Sequence, residues 1–126
     1  MPRPLNNTDT DLNANNLLRL PAEFGCPVWV YDAQIIRDKI AALHQFDVVR
    51  FAQKACSNIH ILRLMREQGV RVDSVSLGEI ERALAAGYDP QADQDSIVFT
   101  ADLIDSATLA RVPGLQIPGK ARSGGM

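Results

Sequence analysis

The sequence is short of several things at once, and each shortage removes a class of protein. No apolar run approaches the ~20 residues that cross a bilayer, so no membrane partner is expected. Lys and Arg are not in excess. The net charge of −2 and pI near 5.6 provide no basic footprint for nucleic acid. Cysteine occurs only as Cys26 and Cys56, without the spacing of a metal site. A reducing, cytoplasmic compartment is the expectation that follows. The opening Met-Pro-Arg-Pro has no apolar h-region, so no signal peptide is expected. What is present is hydrophobic content of 46%, too high for a chain unable to bury a core. The 126 residues suffice for one ordinary small domain.

Hydrophobic patterning organises the rest. Residues 1–11 are polar and read as a lead-in. Residues 12–20 predict a short helix, with Pro21 starting a separate turn through Phe24 and Gly25 stopping it. The aromatic, β-branched run 27–31 predicts a strand. Asp32 then predicts the N-cap of a helix over 33–44, with Ile36, Ile40 and Leu43 on one face.

Strands are predicted over 48–54, 70–75 and 97–100, with a fourth over 115–117. Ser57 is the expected cap of a helix to about Gln68, with Ile61, Leu62 and Met65 inward and Gly69 at its end. Ser76 and Glu79 match the S-x-x-E capping box of a helix with Leu77, Ile80 and Leu84 on one face and Gly87 closing it. Residues 89–95 form an acidic connecting loop. Asp105 or Ser106 caps a last helix to about Val112. From Val48 onward the βα units recur every roughly 25 residues, which predicts parallel strands. The fold class is therefore α/β, either a doubly wound sheet or part of a (β/α)8 barrel.

The candidate chemistry centres on Lys54. Alternation along 48–54 sends Val49, Phe51 and Gln53 to one face and Arg50, Ala52 and Lys54 to the other. Ligands of α/β folds gather at the C-terminal ends of parallel strands, where Lys54 would stand. In a partly desolvated pocket its amine could react with an aldehyde, beside an Ala52 small enough to admit a flat ligand. The plain alternative is a strand-end lysine whose stem covers apolar surface. Asp73 and Ser76 fall at the end of the next strand and can line the same mouth, or can serve only a turn and a helix cap. Cys56 reads as a reactive thiol beside a cation or as a small buried filler. His44 and His60 read as solvent-exposed. Residues 114–121 come near the P-loop pattern, but Ala121 replaces the Mg2+-binding hydroxyl and Pro118 removes an N–H donor.

Three ordered segments carry a family likeness. Phe51-Ala52-Gln53-Lys54-Ala55-Cys56-Ser57-Asn58 resembles the (Y/F)-A-x-K-A-N-S-N segment of the fold-type III pyridoxal-phosphate-dependent decarboxylases. Asp73-Ser74-Val75-Ser76-Leu77-Gly78-Glu79-Ile80 resembles their D-x-x-S-x-G-E-(I/L) segment. Phe24 to Asp32 resembles their opening Y-G-T-P-x-Y-V-Y-D. The likeness runs from about Thr8 to Ile117, and the branch of the family that makes lysine, where a Cys after K-A is familiar, resembles it most.

The resemblance implies a fold, a cofactor and a reaction. The fold is the first three to four βα units of a TIM-type barrel over 27–117. A lead-in over 1–26 precedes it, and a tail over 118–126 without family likeness follows it. The run 27–31 would join a separate β-domain. Lys54 becomes the Schiff-base lysine for pyridoxal 5'-phosphate, Ala52 a neighbour of the ring, and Asp73 and Ser76 cofactor-site residues one strand along. The implied reaction converts meso-2,6-diaminopimelate, a small amino-acid substrate, to L-lysine and CO2, in an enzyme that is a homodimer when whole. The Gly-rich phosphate loop, the acidic partner of the pyridine nitrogen and the substrate-binding arginines find no match in this sequence. The expectation is an N-terminal fragment, inactive alone; a non-catalytic α/β binding module and a barrel that holds the cofactor without turnover are the other readings.

Overall fold

The computed structural model describes residues 12, 14–101 and 104–118. They belong to two compact units, one ending at Ile36 and one beginning at Arg37. The expected lead-in over 1–11 and the tail from 119 lie outside the described residues.

The first unit holds α1 (Ala14–Phe24), a single helix that runs through Pro21. Two elements were expected, because Pro lacks the N–H that would bond one turn back. Only that one bond is lost, and the Gly25 amide donates to the Pro21 carbonyl at 2.9 Å to close the last turn. Gly25, at φ +85°, then stops the helix as expected. The predicted strand over 27–31 is not formed. A strand needs a ladder, and among the described residues none pairs with this run, which leaves Trp29 86% exposed. The Cys26–Pro27 peptide is cis. Asp32 is the cap the sequence predicts: its Oδ1 accepts from the amides of Gln34 at 2.7 Å and Ile35 at 3.2 Å. It opens α2 (Ala33–Ala41), which crosses into the second unit. The expected length to His44 is replaced by tighter turns, the amides of Leu43 and His44 bonding three residues back to Ile40 and Ala41.

The second unit is built on three parallel strands in the order β1 (Arg50–Ala52), β2 (Arg71–Ser74) and β3 (Ile97–Phe99). Each is shorter than the sequence suggests, though backbone pairing continues past the ends. The Arg71 amide donates to Val49 at 3.0 Å, and the Thr100 amide to Ser74 at 2.9 Å. Between the strands lie α3 (Ile59–Glu67) and α4 (Leu77–Ala85), and α5 (Ser106–Arg111) follows β3.

The sheet has two unlike faces. One carries Val72, Ile97 and Phe99 into a core with Leu62 of α3, Ile80 and Ala83 of α4, and Ile117. Burying side chains of this size contributes about 1.5–3 kcal/mol each. Partly buried Phe51 packs against the same core, and Gln53 and Ser74 lie fully buried beside it. The other face carries Ala52, Asp73 and Val98, in register across the three strands. At its N-terminal end Arg71 pairs with Asp93 and Asp95 at 3.4 Å, and Arg50 with Asp95 at 3.9 Å.

Helix ends explain how each strand begins. After α3 the Gly69 amide bonds to Arg66 and the Val70 amide to Met65, both at 3.0 Å. After α4 the Gly87 amide bonds to Leu84 at 2.9 Å and the Tyr88 amide to Ala83 at 3.1 Å. Both are Schellman turns, and they need φ of +75° at Gly69 and +97° at Gly87. The two turns are tied by the Tyr88 hydroxyl, which donates to the Val70 carbonyl at 2.8 Å. Burial pushes the Tyr88 hydroxyl up to about 12, with Arg66 acting in the opposite sense.

Two further expectations are corrected. The cap of α3 is Asn58, not Ser57. Asn58 Oδ1 accepts from His60 at 2.9 Å and Ile61 at 3.4 Å, while the Ser57 hydroxyl donates back to the Gln53 carbonyl at 3.2 Å. The predicted strand over 115–117 is instead the end of a 3-10 turn, Pro113–Leu115, followed by Gln116 at φ +55°. Proline at the first position of the turn favours that start. The Phe99 amide donates to the Pro118 carbonyl at 3.1 Å, and Ile117 shares the core cluster of Ile97 and Phe99.

Candidate functional site

Lys54 stands just past the C-terminal end of β1, in a 3-10 turn over Gln53–Ala55. The sequence extended the strand to Lys54, but Ala52 is the last extended residue and the 3-10 turn begins at Gln53. Alternation survives the turn. Phe51 is half-buried and Gln53 fully buried, while Ala52 and Lys54 are exposed. Lys54 thus keeps the rim position predicted for it, but not the desolvated pocket. The exposure is local to the edge strand: Ala52 and Lys54 on β1 are exposed, while Asp73 on the same face is half-buried and Val98 buried. Two clefts among the described residues, of about 290 and 510 Å3, lie away from Lys54, between the turn after α2 and the end of α3, and between Pro90 and Pro118.

The turn that carries Lys54 is anchored from below. Gln53 Nε2 donates to the Glu79 carbonyl at 2.6 Å, and its Oε1 accepts from the Ser74 hydroxyl at 2.9 Å. The Cys56 amide closes the turn onto the Gln53 carbonyl at 3.0 Å. Sequence reasoning placed Gln53 on the inner face but gave it no role. A polar side chain at an inward-facing position was the available signal, because a buried amide requires partners.

Asp73 sits two positions before Val75 on the open face, in register with Ala52. Its Oδ1 accepts from the Thr100 hydroxyl at a short 2.5 Å. Thr100 was read only as the end of a strand. Its place two residues after Val98 on the same face was the signal that could have found it. Ser76 is the cap of α4, its Oγ accepting from the Glu79 amide at 3.2 Å. The other half of the expected box is shifted by one residue. The Glu79 carboxylate accepts from the Val75 amide at 2.8 Å rather than from Ser76.

The remaining candidates stay apart from this rim. His44 and His60 are exposed, as expected. Cys56 is half-buried. The P-loop-like stretch begins in the 3-10 turn, and its Gly119, Lys120 and Ala121 lie outside the described residues. No His, Cys, Asp and Glu grouping that could hold a metal occurs among the described residues. Asp105 caps α5 through the Thr108 amide at 2.7 Å, and hydrogen bonds to Thr108 hold its carboxyl below the usual range.

The donor set fits one end of a pyridoxal group. An accessible primary amine suits its aldehyde, and the methyl side chain of Ala52 leaves the open face clear for a flat ring. A cradle of backbone amides for its phosphate is not formed by the residues around Lys54 and Asp73.

Comparison with known proteins bears on the same residues. Residues 32–120 match the family model described as pyridoxal-dependent decarboxylase, pyridoxal binding domain. The chain is 81% identical over 123 residues to a diaminopimelate decarboxylase of Escherichia coli K12, covering 98% of this chain and 29% of that protein. A diaminopimelate decarboxylase of Streptomyces coelicolor is 60% identical over 112 residues, covering 89% of this chain and 26% of the relative. A crystal structure of diaminopimelate decarboxylase superposes with a TM-score of 0.86 at 82% identity, over 95% of this chain and 28% of that one. The chain therefore spans under a third of the length of the relatives it matches.

Proposed function

The chain belongs to the pyridoxal-dependent decarboxylases through their pyridoxal binding domain, and from that premise we propose that it is the N-terminal, lysine-bearing part of a diaminopimelate decarboxylase. The reaction is the conversion of meso-2,6-diaminopimelate to L-lysine and CO2, carried out when the rest of the barrel and the partner domain complete the site. The observation that carries the reading is the placement of the Lys54 turn at the C-terminal rim of a parallel sheet, with Ala52 and Asp73 in register on the face below it.

In this reading each residue has a task. Lys54 would hold the cofactor, its primary amine being the group that suits the aldehyde. Ala52, exposed on the same face as Asp73, would leave room there for a flat ring. Asp73, fixed by Thr100, places a carboxylate on the same face. Ser76 fixes the start of α4, and through it the Glu79 carbonyl that anchors the turn. When bound, pyridoxal phosphate supplies an electron sink for the charge left as CO2 departs. The phosphate cradle and the proton donor come from outside this chain, so the chain alone binds without turning over. The working enzyme is a cytoplasmic homodimer.

Titration with pyridoxal phosphate tests this. A bound-cofactor absorbance band, fixed by borohydride and absent in Lys54→Ala, is the expected result. A band of equal size in Lys54→Ala would overturn the assignment.

A further inference from the structure

We propose that Gln53 is the positioning residue for Lys54, setting where the reactive amine stands above the sheet. The inference rests on the reading of Lys54 given above. Gln53 is fully buried beside an otherwise apolar core, where an aliphatic side chain would pack without any polar group to satisfy. Both ends of its amide are used. Nε2 reaches the Glu79 carbonyl in the first turn of α4, and Oε1 takes the Ser74 hydroxyl at the end of β2. Its own carbonyl takes the Cys56 amide and the Ser57 hydroxyl, so the turn is held from the side chain below and from the backbone within.

Hydrogen bonds differ from apolar packing in being directional, with favoured angles above about 150°. Two of them at one planar amide fix the orientation of residue 53, and hence the direction in which the next residue leaves the turn. The two partners belong to neighbouring elements, β2 and α4. Lys54 is thereby registered to the strand that carries Asp73, not merely to its own. An apolar side chain at this position would fill the space and leave the turn held only from the backbone within, with no tie to β2 or α4.

The test uses Gln53→Met, which keeps length and loses both bonds, and Ser74→Ala, which removes one. Two quantities are read in each variant. One is hydrogen exchange at the Cys56 amide. The other is the ratio of Lys54 to Lys39 modified by pyridoxal phosphate and trapped with borohydride. In folded Gln53→Met the exchange should quicken about tenfold and the ratio fall by a similar factor, the scale set by about one net hydrogen bond. Ser74→Ala should move both in the same direction by less. A residue that only stabilises the fold would lower the melting temperature and leave the ratio alone; that result, or wild-type exchange in both variants, overturns the proposal. If Gln53→Met does not fold, Ser74→Ala decides by the same criteria. Failure of the cofactor reading is separable, since it appears as an equal Lys54 to Lys39 ratio in the wild-type chain, while the exchange at Cys56 still judges the role of Gln53.

Discussion

Tyr88→Phe removes one oxygen and interrogates the joint between the two Schellman turns. The hydroxyl donates to the Val70 carbonyl at 2.8 Å, and both residues are under 5% exposed. Deleting the donor leaves a buried carbonyl without it, which costs about 1–3 kcal/mol, while the phenyl ring keeps its packing. For a unit of this size a 1 kcal/mol loss lowers the melting temperature by about 4–8 °C. The same hydroxyl has a signature in pH. Its pKa is raised from 10.0 to about 12 in the folded chain, so above pH 10 the unfolded chain releases a proton that the folded chain keeps. The stability it contributes is complete below pH 10 and lost as pH rises toward 12, by at most about 2 kcal/mol once partial solvent screening is allowed for. Urea denaturation of wild type and Tyr88→Phe at pH 8, 10 and 11.5 is the assay. The gap between the two proteins should be widest at pH 8 and narrow as pH rises, whatever Tyr31 and the lysines do in both. A gap that does not change with pH, or none at pH 8, would refute the reasoning.

Other outcomes follow from the local geometry. Asn58→Ala should destabilise by about 1 kcal/mol through loss of the α3 cap, read by chemical denaturation, whereas Ser57→Ala should cost less because its hydroxyl serves only the Gln53 carbonyl. Gly69→Ala forces a side chain into φ +75° and should cost about 1 kcal/mol or more, read the same way. Gly87→Ala should cost about as much for the same reason at φ +97°, since the Arg66 guanidinium 3.1 Å from a new Cβ is the end of an exposed side chain that can move aside.

Much of this fold is legible in the sequence because local and global signals agree. The β-branched runs 70–75 and 97–100 became adjacent parallel strands, and Ser76, Gly69 and Gly87 stand at the helix ends their chemistry suggests. The misread elements are those in which local preference lacks a decision from context. Residues 27–31 have strand composition but no ladder among the described residues, and composition cannot reveal a missing neighbour. Ser57 and Asn58 are both good caps, and their order was settled by a bond to Gln53 that no helix rule contains. Pro21 should break a helix, yet one lost bond did not outweigh the turns on either side. At the site, the period-2 alternation placed Lys54 and Ala52 opposite Gln53 correctly. The expected desolvation of Lys54 depended on walls that the edge strand lacks among the described residues, so it was a statement about the surroundings rather than about the strand. Thr100 and Gln53 went unread because each acts across strands, on partners 27 and 26 residues away.

The most direct test of the central claim is peptide mapping of the chain after exposure to pyridoxal phosphate and borohydride. Its lysines are Lys39, Lys54 and Lys120, so the competing amines are few and each falls in a separate peptide. The account predicts that the pyridoxyl mass is concentrated on Lys54 at low cofactor and that this selectivity disappears in urea. Label spread evenly over the three, in the folded and the unfolded chain alike, would contradict it.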